Sequence, residues 1–192
     1  SKPAIDHALI ISVFVVASCG LAYELVNAAL ASYLLGDSVL QFSTIIGAYL
    51  FAMGIGSHLS QYVPEDQVLK RFIEIELLVG LVGGLSAAAL CLSVAWIAAP
   101  FRPLLCAVGI LVGVLGGMEV PLVMRVLNQR KAEFNALISR VLTFDYMGAL
   151  AVSLLFPLVL APMLGLARTA MLFGLCNVGI ACWTVWRFRH DL

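Results

Sequence analysis

Six long apolar stretches dominate this sequence of 192 residues, and each contains almost no charged side chain. A helix that crosses about 30 Å of hydrocarbon needs roughly 20 apolar residues, so six crossings account for most of the chain. Hydrophobic residues make up 62% of the sequence and charged residues only 11%, which is outside the range of soluble domains. The sequence therefore predicts an all-α integral membrane protein, a single polytopic transmembrane domain over residues 1–192 with no separate soluble domain.

The six predicted helices begin and end where polar residues, Pro or Gly interrupt the apolar stretches. They cover Leu9–Leu34, Val39–Ser60, Phe72–Ala98, Pro103–Val126, Leu137–Leu160 and Gly165–Arg187. Outer turns are expected at Gly36–Ser38, Pro100–Arg102 and Ala161–Leu164. Of the 11 Lys and Arg residues, only Arg102 and Arg168 lie on the outer side of this path. The positive-inside rule then predicts that both termini are cytoplasmic.

Composition and spacing argue against several classes of site. The formal net charge is zero, so there is no case for nucleic-acid binding. The five Cys residues show no CxxC spacing and the three His residues are far apart, so neither disulfides nor a metal site is predicted. The stretch Met53–Ser57 lacks the lysine of a phosphate-binding loop and is interpreted as a packing surface. No cofactor is predicted.

Glycine spacing predicts where the helices contact each other. Gly109, Gly113 and Gly117 recur every four residues on the fourth helix, and Gly80 and Gly84 do so on the third. Membrane helices associate through such small residues because backbones can approach closely there. These two faces are therefore expected to be buried in the bundle.

A weak internal similarity relates the two halves of the chain. Glu24 and Glu119 fall at similar depths in the first and fourth helices, and Gly-Ala pairs begin at Gly47 and Gly148 in the second and fifth. This pattern fits two three-helix inverted repeats. Six helices arranged in this way resemble half of a major-facilitator fold. Chance similarity between apolar helices is the alternative.

Three carboxylates, Glu24, Glu119 and Asp145, lie inside the apolar stretches. A charge at the bilayer centre costs roughly 3 kcal/mol on insertion scales, so such residues face the bundle interior or a water-filled cavity. Tyr23 and Tyr146 adjoin two of these acids. We predict that these five residues bind a cationic solute, while no residue is assigned a catalytic role.

The alternative for each acid is a structural one. Glu24 can accept hydrogen bonds that hold helices together, and Arg125 and Arg140 are close enough in sequence to neutralise Glu119 and Asp145. Glu74 and Glu76 at the start of the third helix are interpreted as structural, paired locally and placed at the favourable end of the helix dipole.

Several motifs resemble the membrane domain of membrane-bound spermidine-synthase-like proteins, which are polyamine aminopropyltransferases. The resemblance covers nearly the whole chain. The motifs are Tyr23-Glu24, Leu35–Ser38, Met53–Ser57, Gly117–Leu122, Asp145-Tyr146 with Gly148–Leu150, Phe156–Leu158 and Leu164–Arg168. The resemblance implies a multi-pass domain in a bacterial inner membrane, with a polyamine and a soluble aminopropyltransferase domain as partners.

The transferase chemistry of that family does not carry over to this chain. Family members join the membrane domain to a methyltransferase-like α/β domain that uses decarboxylated S-adenosylmethionine. No Gly-rich strand-to-helix loop and no acidic pair of that enzyme follows Arg187. The chain is then expected to be a fragment of such an enzyme or to act with a separate partner.

Three hypotheses about function remain open. The first is a membrane-anchoring domain that binds a polyamine and is not itself catalytic. The second is a small amine transporter, in which a homodimer completes a pathway lined by the internal acids. The third is an accessory structural subunit whose glycine-rich faces dock into a larger membrane complex.

Overall fold

Helices form all the regular structure in the part of the chain that the computed structural model describes, residues 2–97, 101–129 and 134–188. The predicted all-α class is confirmed. The α-helices are α1 Lys2–Leu35, α2 Ser38–Leu59, α3 Val68–Ile97, α4 Phe101–Gln129, α5 Phe134–Leu155 and α6 Gly165–Phe188. Two 3-10 turns, Ser60–Tyr62 and Glu65–Gln67, join α2 to α3, and a π-helical segment, Phe156–Leu164, joins α5 to α6.

The first predicted turn lies where the sequence predicts it. Gly36 and Asp37 both have positive φ, 72° and 44°, and this left-handed conformation ends α1. The side chain of Asp37 then accepts a hydrogen bond of 3.3 Å from the backbone N–H of Leu40 and so caps α2. Most of the second predicted turn, residues 98–100, lies outside the described residues.

The third predicted turn is wrong in its details. The chain does not leave the helix at residues 161–164 but passes through them as wide π-helical turns. Pro157 and Pro162 lack the N–H donors that regular α-helical turns require, which favours a locally altered helix. The break comes one residue later at Gly165, whose φ of 76° suits glycine.

Five segments of the described residues are long and apolar enough to cross a membrane, by length and composition. They are Leu9–Leu35, Ser38–Tyr62, Glu65–Ser93, Phe101–Asn128 and Ile138–Phe188. The sequence predicts six spans, and the numbers differ because the last segment includes α5, the π-helical segment and α6 in one apolar run.

The helices pack in pairs around α1. α3 lies along α6, α2 along α4 and α5 along α1, while α1 also contacts α2, α4 and α6. Many large apolar side chains are exposed, whereas polar groups such as Asn27, Asn177, Glu76 and Glu119 are buried. Soluble proteins show the reverse arrangement. Apolar outside and polar inside is the pattern expected of a helix bundle in lipid.

The predicted glycine faces are found, with one exception. Gly113 and Gly117 pack against α2, and Gly80 and Gly84 pack against α6. At Gly109 nothing lies within 4 Å of the position that a Cβ atom would occupy, so this residue does not mark a close helix contact. In the stretch Met53–Ser57, the closest approach is at Gly56, where a Cβ atom would fall on the backbone carbonyl of Val114.

Replacing Gly56 by alanine is expected to destabilise the bundle strongly. The new methyl group would overlap the backbone of α4, which cannot move without separating α2 from α4, and overpacking of this kind costs about 1–3 kcal/mol or more. Gly54→Ala is the matched control, because nothing lies within 4 Å of a Cβ atom there. Thermal unfolding in detergent should show a lower Tm for Gly56→Ala alone; equal Tm values would contradict the α2–α4 contact.

Candidate functional site

A cavity of about 270 Å³ lies between α1, α2, α4 and α5. Its wall is mostly apolar side chains and glycine, contributed by residues such as Gly20, Met53 and Gly116. The polar side chains on the wall are Glu24, Tyr49, Glu119, Asp145 and Tyr146. Three helices, α1, α4 and α5, therefore bring one carboxylate each to the same space.

A second cavity of about 450 Å³ adjoins the first. The two share Met53, Gly116, Val120 and Asp145 as lining residues. The second cavity extends past Ser57 and Met124 toward the ends of α2 and α4 that the charge pattern predicts to be cytoplasmic. The two cavities are therefore neighbours along α4, and Asp145 belongs to the wall of both.

The three acids differ in exposure. Glu24 is 7% exposed and Glu119 only 2%, while Asp145 is half-buried. One oxygen of Glu119, Oε1, is buried and has no hydrogen-bond partner among the described residues. The other, Oε2, lies on the side of Gly116, which lines the cavity. Glu119 therefore contributes to the cavity wall beside Gly116.

Tyr49 holds the wall of the cavity together. Its hydroxyl donates a hydrogen bond of 3.1 Å to the backbone carbonyl of Gly20 and so joins α2 to α1. The same hydroxyl and Oε2 of Glu119 both lie within 4 Å of the position that a Cβ atom on Gly116 would occupy. Tyr49 was not among the predicted site residues, although a Tyr directly after the Gly47-Ala48 pair on an apolar helix is a detectable signal.

The arginine residues do not neutralise the cavity acids in the described part of the chain. Arg125 donates hydrogen bonds to the carbonyl oxygens of Ser60 and Val63, at 2.8 and 2.7 Å, and to Glu65 at 2.8 Å. It therefore fixes the connection between α2 and α3. Arg140 is exposed and forms no ion pair with a described residue. The structural alternative of an Arg–acid network is wrong for these two arginines.

Tyr23 does not reach the cavity, although it adjoins Glu24 in sequence. Its side chain is fully buried on another face of α1, with the ring against Gly83 of α3. Its hydroxyl has no hydrogen-bond partner in the described residues. Tyr146 does line the cavity, but it is 67% exposed and so lies at the rim. Whether these residues bind a solute stays a prediction.

Glu76 is the polar residue that sequence reasoning misjudged. Glu74 pairs with Arg71 at 2.6 Å as expected, but Glu76 is fully buried and neither of its oxygens has a described partner. Helical spacing places Glu76 on the face that carries Phe72 and Val79, both buried in the core. This spacing could have identified Glu76 as a buried residue. The proximity of Glu76 to Arg71 in the sequence instead favoured the interpretation of a local ion pair.

The described residues include no group of three or more His, Cys, Asp or Glu side chains arranged to hold a metal ion. Carboxylates on an apolar wall attract ammonium groups, and the apolar residues between them accept methylene groups.

Comparison with known proteins finds relatives that are similar over most of this chain. The chain is 69% identical over 184 residues to "Polyamine aminopropyltransferase 2" of Ralstonia nicotianae, covering 96% of this chain and 36% of that protein. It is 52% identical to "Polyamine aminopropyltransferase" of Leptospira interrogans, over 93% of this chain and 35% of the relative. A Mycobacterium tuberculosis protein of the same name is 36% identical, over 90% and 34%.

The resemblance inferred from the sequence motifs is thereby confirmed. The chain spans about a third of the length of these relatives. No protein-family model matches the chain. No solved structure matches it either.

Proposed function

Because the chain is homologous over nearly its whole length to a region of the polyamine aminopropyltransferases, we propose that it is a membrane-anchoring domain whose cavity binds a polyamine. The domain performs no transfer step itself. Its partners are the lipid bilayer and an aminopropyltransferase domain, either in the same polypeptide or in a separate one.

One observation carries the proposal of amine binding. Glu24, Glu119 and Asp145 line a single cavity, and no described basic side chain pairs with them. A unit charge pair at 4 Å is worth about 4 kcal/mol at the effective dielectric constant near a protein surface. A polyamine carries several ammonium groups separated by methylene groups. Its ammonium groups can therefore contact the acids while its methylene groups contact the apolar wall between them. The cavity volume of about 270 Å³ suits a slender ligand of this kind.

The anchoring function rests on six membrane spans. The last apolar run divides into two spans at Gly165. The evidence is that the hydroxyl of Thr169 donates a hydrogen bond of 3.3 Å to the carbonyl oxygen of Leu160. Nine residues of straight helix would separate these positions by about 13 Å, so the chain bends back there. With six spans, both termini lie on the cytoplasmic side of a bacterial inner membrane.

Cysteine labelling tests the number of spans. Gln61→Cys and Leu164→Cys are made separately in a chain that lacks its native Cys residues, and the two introduced thiols should be labelled from opposite sides of the membrane. Labelling of both thiols from the same side would contradict six spans.

Calorimetry tests the amine-binding part directly. The purified chain in detergent is titrated with spermidine and with putrescine. Saturable heat that falls as salt rises supports an electrostatic amine site. No saturable heat with either amine would remove amine binding and leave an anchor or an accessory subunit.

A second candidate function is amine transport, with a homodimer completing the pathway, and the packing within one chain supports its transporter-like symmetry. If the two halves of the chain exchange places, α1 replaces α4, α2 replaces α5 and α3 replaces α6. The α1–α5 contact then becomes the α4–α2 contact, and the α1–α6 contact becomes the α4–α3 contact. All four contacts are present. Glu24 and Glu119 exchange in the same operation. Such two-fold pairs are typical of transporters built from inverted repeats. Uptake of labelled spermidine by proteoliposomes containing this chain alone would favour transport, and no uptake under several gradients would count against it.

A further inference from the structure

The second cavity, of about 450 Å³, has a wall that differs from the wall of the first. Glu24, Glu119 and Tyr49 line only the first cavity, whereas Asp145 lines both. Among the described residues, Asp145 is therefore the one carboxylate of the second cavity, and Ser57 of α2 adds a hydroxyl. The three acids of the first cavity do not account for what this second space can bind.

A break in the hydrogen bonding of α4 lies in the same wall. Pro121 is inside α4, and Gly117, four residues earlier, lines the second cavity together with it. In an α-helix the carbonyl oxygen of each residue accepts a hydrogen bond from the N–H four residues later, but Pro has no N–H. The carbonyl oxygen of Gly117 therefore lacks its regular donor. Positions four apart share one helix face, and Gly117 has no side chain to cover this oxygen, so α4 presents a backbone acceptor to the cavity.

The two cavities follow the helix axes one after the other. On α2 their walls run from Tyr49 to Ser57, and on α4 from Gly116 to Met124. Each interval is eight residues, 49 to 57 and 116 to 124, which is about 12 Å of helix. Gly116 lines both cavities and puts no side chain between them. An extended chain can therefore place groups in both spaces.

The acceptors of the second cavity suit an ammonium group. Such a group has three N–H donors and no acceptor, and the carboxylate of Asp145, the carbonyl oxygen of Gly117 and the hydroxyl of Ser57 all accept hydrogen bonds. Transporters hold cations at backbone carbonyls that are freed by breaks in membrane helices. A hard metal ion such as Ca²⁺ takes about six to eight oxygen ligands, more than these three groups supply. Met53 and Met124 of the same wall offer apolar surface to methylene groups.

We propose that the second cavity is a subsite for a further ammonium group, held by Asp145 and by the carbonyl oxygen of Gly117 that Pro121 leaves without a donor. The bound amine then extends through both cavities, and the site selects a triamine over a diamine. Glu24 and Glu119 hold the ammonium groups in the first cavity. This subsite rests on the proposed function, because it names which polyamines the same site takes.

Calorimetry with two amines tests the subsite. Putrescine has two ammonium groups, which the acids of the first cavity can both contact, and spermidine has a third for the subsite. The wild-type chain in detergent should bind spermidine at least about tenfold more tightly than putrescine, since a hydrogen bond to a charged group is worth about that factor. Equal affinities would overturn the proposal.

Pro121→Ala removes the free acceptor and leaves every carboxylate in place. The alanine supplies an N–H to the carbonyl oxygen of Gly117, so spermidine affinity should fall about tenfold while putrescine affinity stays the same. Pro157→Ala is the matched control, because Pro157 lies in the π-helical segment and is not among the described residues that line either cavity. It should leave both affinities unchanged. Equal changes for both amines in Pro121→Ala, or no change for spermidine, would overturn the subsite.

A second variant keeps the test decisive if Pro121→Ala does not fold. Gly54 lines the second cavity but not the first, and nothing lies within 4 Å of a Cβ atom there. Gly54→Leu fills part of the second cavity and favours the helix, so spermidine affinity should fall about tenfold and putrescine affinity should not change. Gly47→Leu is the control, since Gly47 on the same helix has equally open surroundings and is not among the described residues of either wall. Equal spermidine affinity in the two variants would overturn the subsite.

Failure of the subsite and failure of the proposed function give different results. If neither amine binds the wild-type chain, the proposed function falls and the subsite falls with it. If both amines bind, and Pro121→Ala and Gly54→Leu bind spermidine like the wild-type chain, only the subsite falls.

Discussion

Replacing Glu24 and Glu119 together by glutamine is expected to abolish saturable spermidine binding at concentrations that saturate the wild-type chain. Both acids line the same cavity, and no described basic side chain neutralises either of them. A hydrogen bond to a charged group contributes about 1.5–3 kcal/mol, so two lost contacts should weaken binding by at least about a hundredfold. Isothermal titration calorimetry in detergent measures this change. Glutamine keeps the size of each side chain and removes only its charge.

The control for this experiment is Glu74→Gln, which removes one acid from an exposed pair with Arg71. It should bind spermidine like the wild-type chain. The double variant should also retain its Tm, because uncharged side chains are cheaper to bury than carboxylates. Wild-type affinity in a folded double variant would mean that the cavity acids do not bind the amine.

The second large effect concerns the volume of the cavity rather than the charge of its wall. Ala149 of α5 lines the cavity, and Ala149→Phe would place an aromatic ring in a volume of about 270 Å³. The ring occupies a large part of this space and leaves every carboxylate unchanged. We expect spermidine affinity to fall at least about tenfold, since a bound amine would have to displace the ring or distort the wall.

The neighbouring residue offers a matched control for the steric experiment. Leu150 is on the same helix, 59% exposed and not among the residues that line the cavity. Leu150→Phe adds a ring on the outer surface and should leave the affinity unchanged. If Ala149→Phe binds spermidine as tightly as Leu150→Phe, the amine does not occupy this cavity, whatever the effect of the acid substitutions.

The two experiments also separate the candidate functions. A transporter and an amine-binding anchor both need the cavity, so both lose function in these variants, but only the transporter shows uptake in proteoliposomes. An accessory subunit with a purely structural role would show no saturable amine binding in the wild-type chain.

Local patterns in the sequence predicted the helices because hydropathy and helix breakers act over short distances. The end of α1 and the start of α2 follow from Gly36 and Asp37, whose conformation the residues themselves favour. The π-helical segment before Gly165 was not predicted, because two prolines mark a disturbance of the helix without specifying how the chain accommodates it.

The sequence by itself determined the all-helical class, the positions of the apolar segments and the identity of the unusual acids Glu24, Glu119 and Asp145, since an acid inside an apolar stretch is costly wherever the helix packs. Only the tertiary structure decided which polar groups meet. It put Arg125 on the α2–α3 connection, placed the ring of Tyr23 against Gly83 and buried Glu76 in the interior of the bundle. Helical periodicity specifies the face on which a side chain lies, but the partner of that face depends on how distant helices pack, and this information is not local.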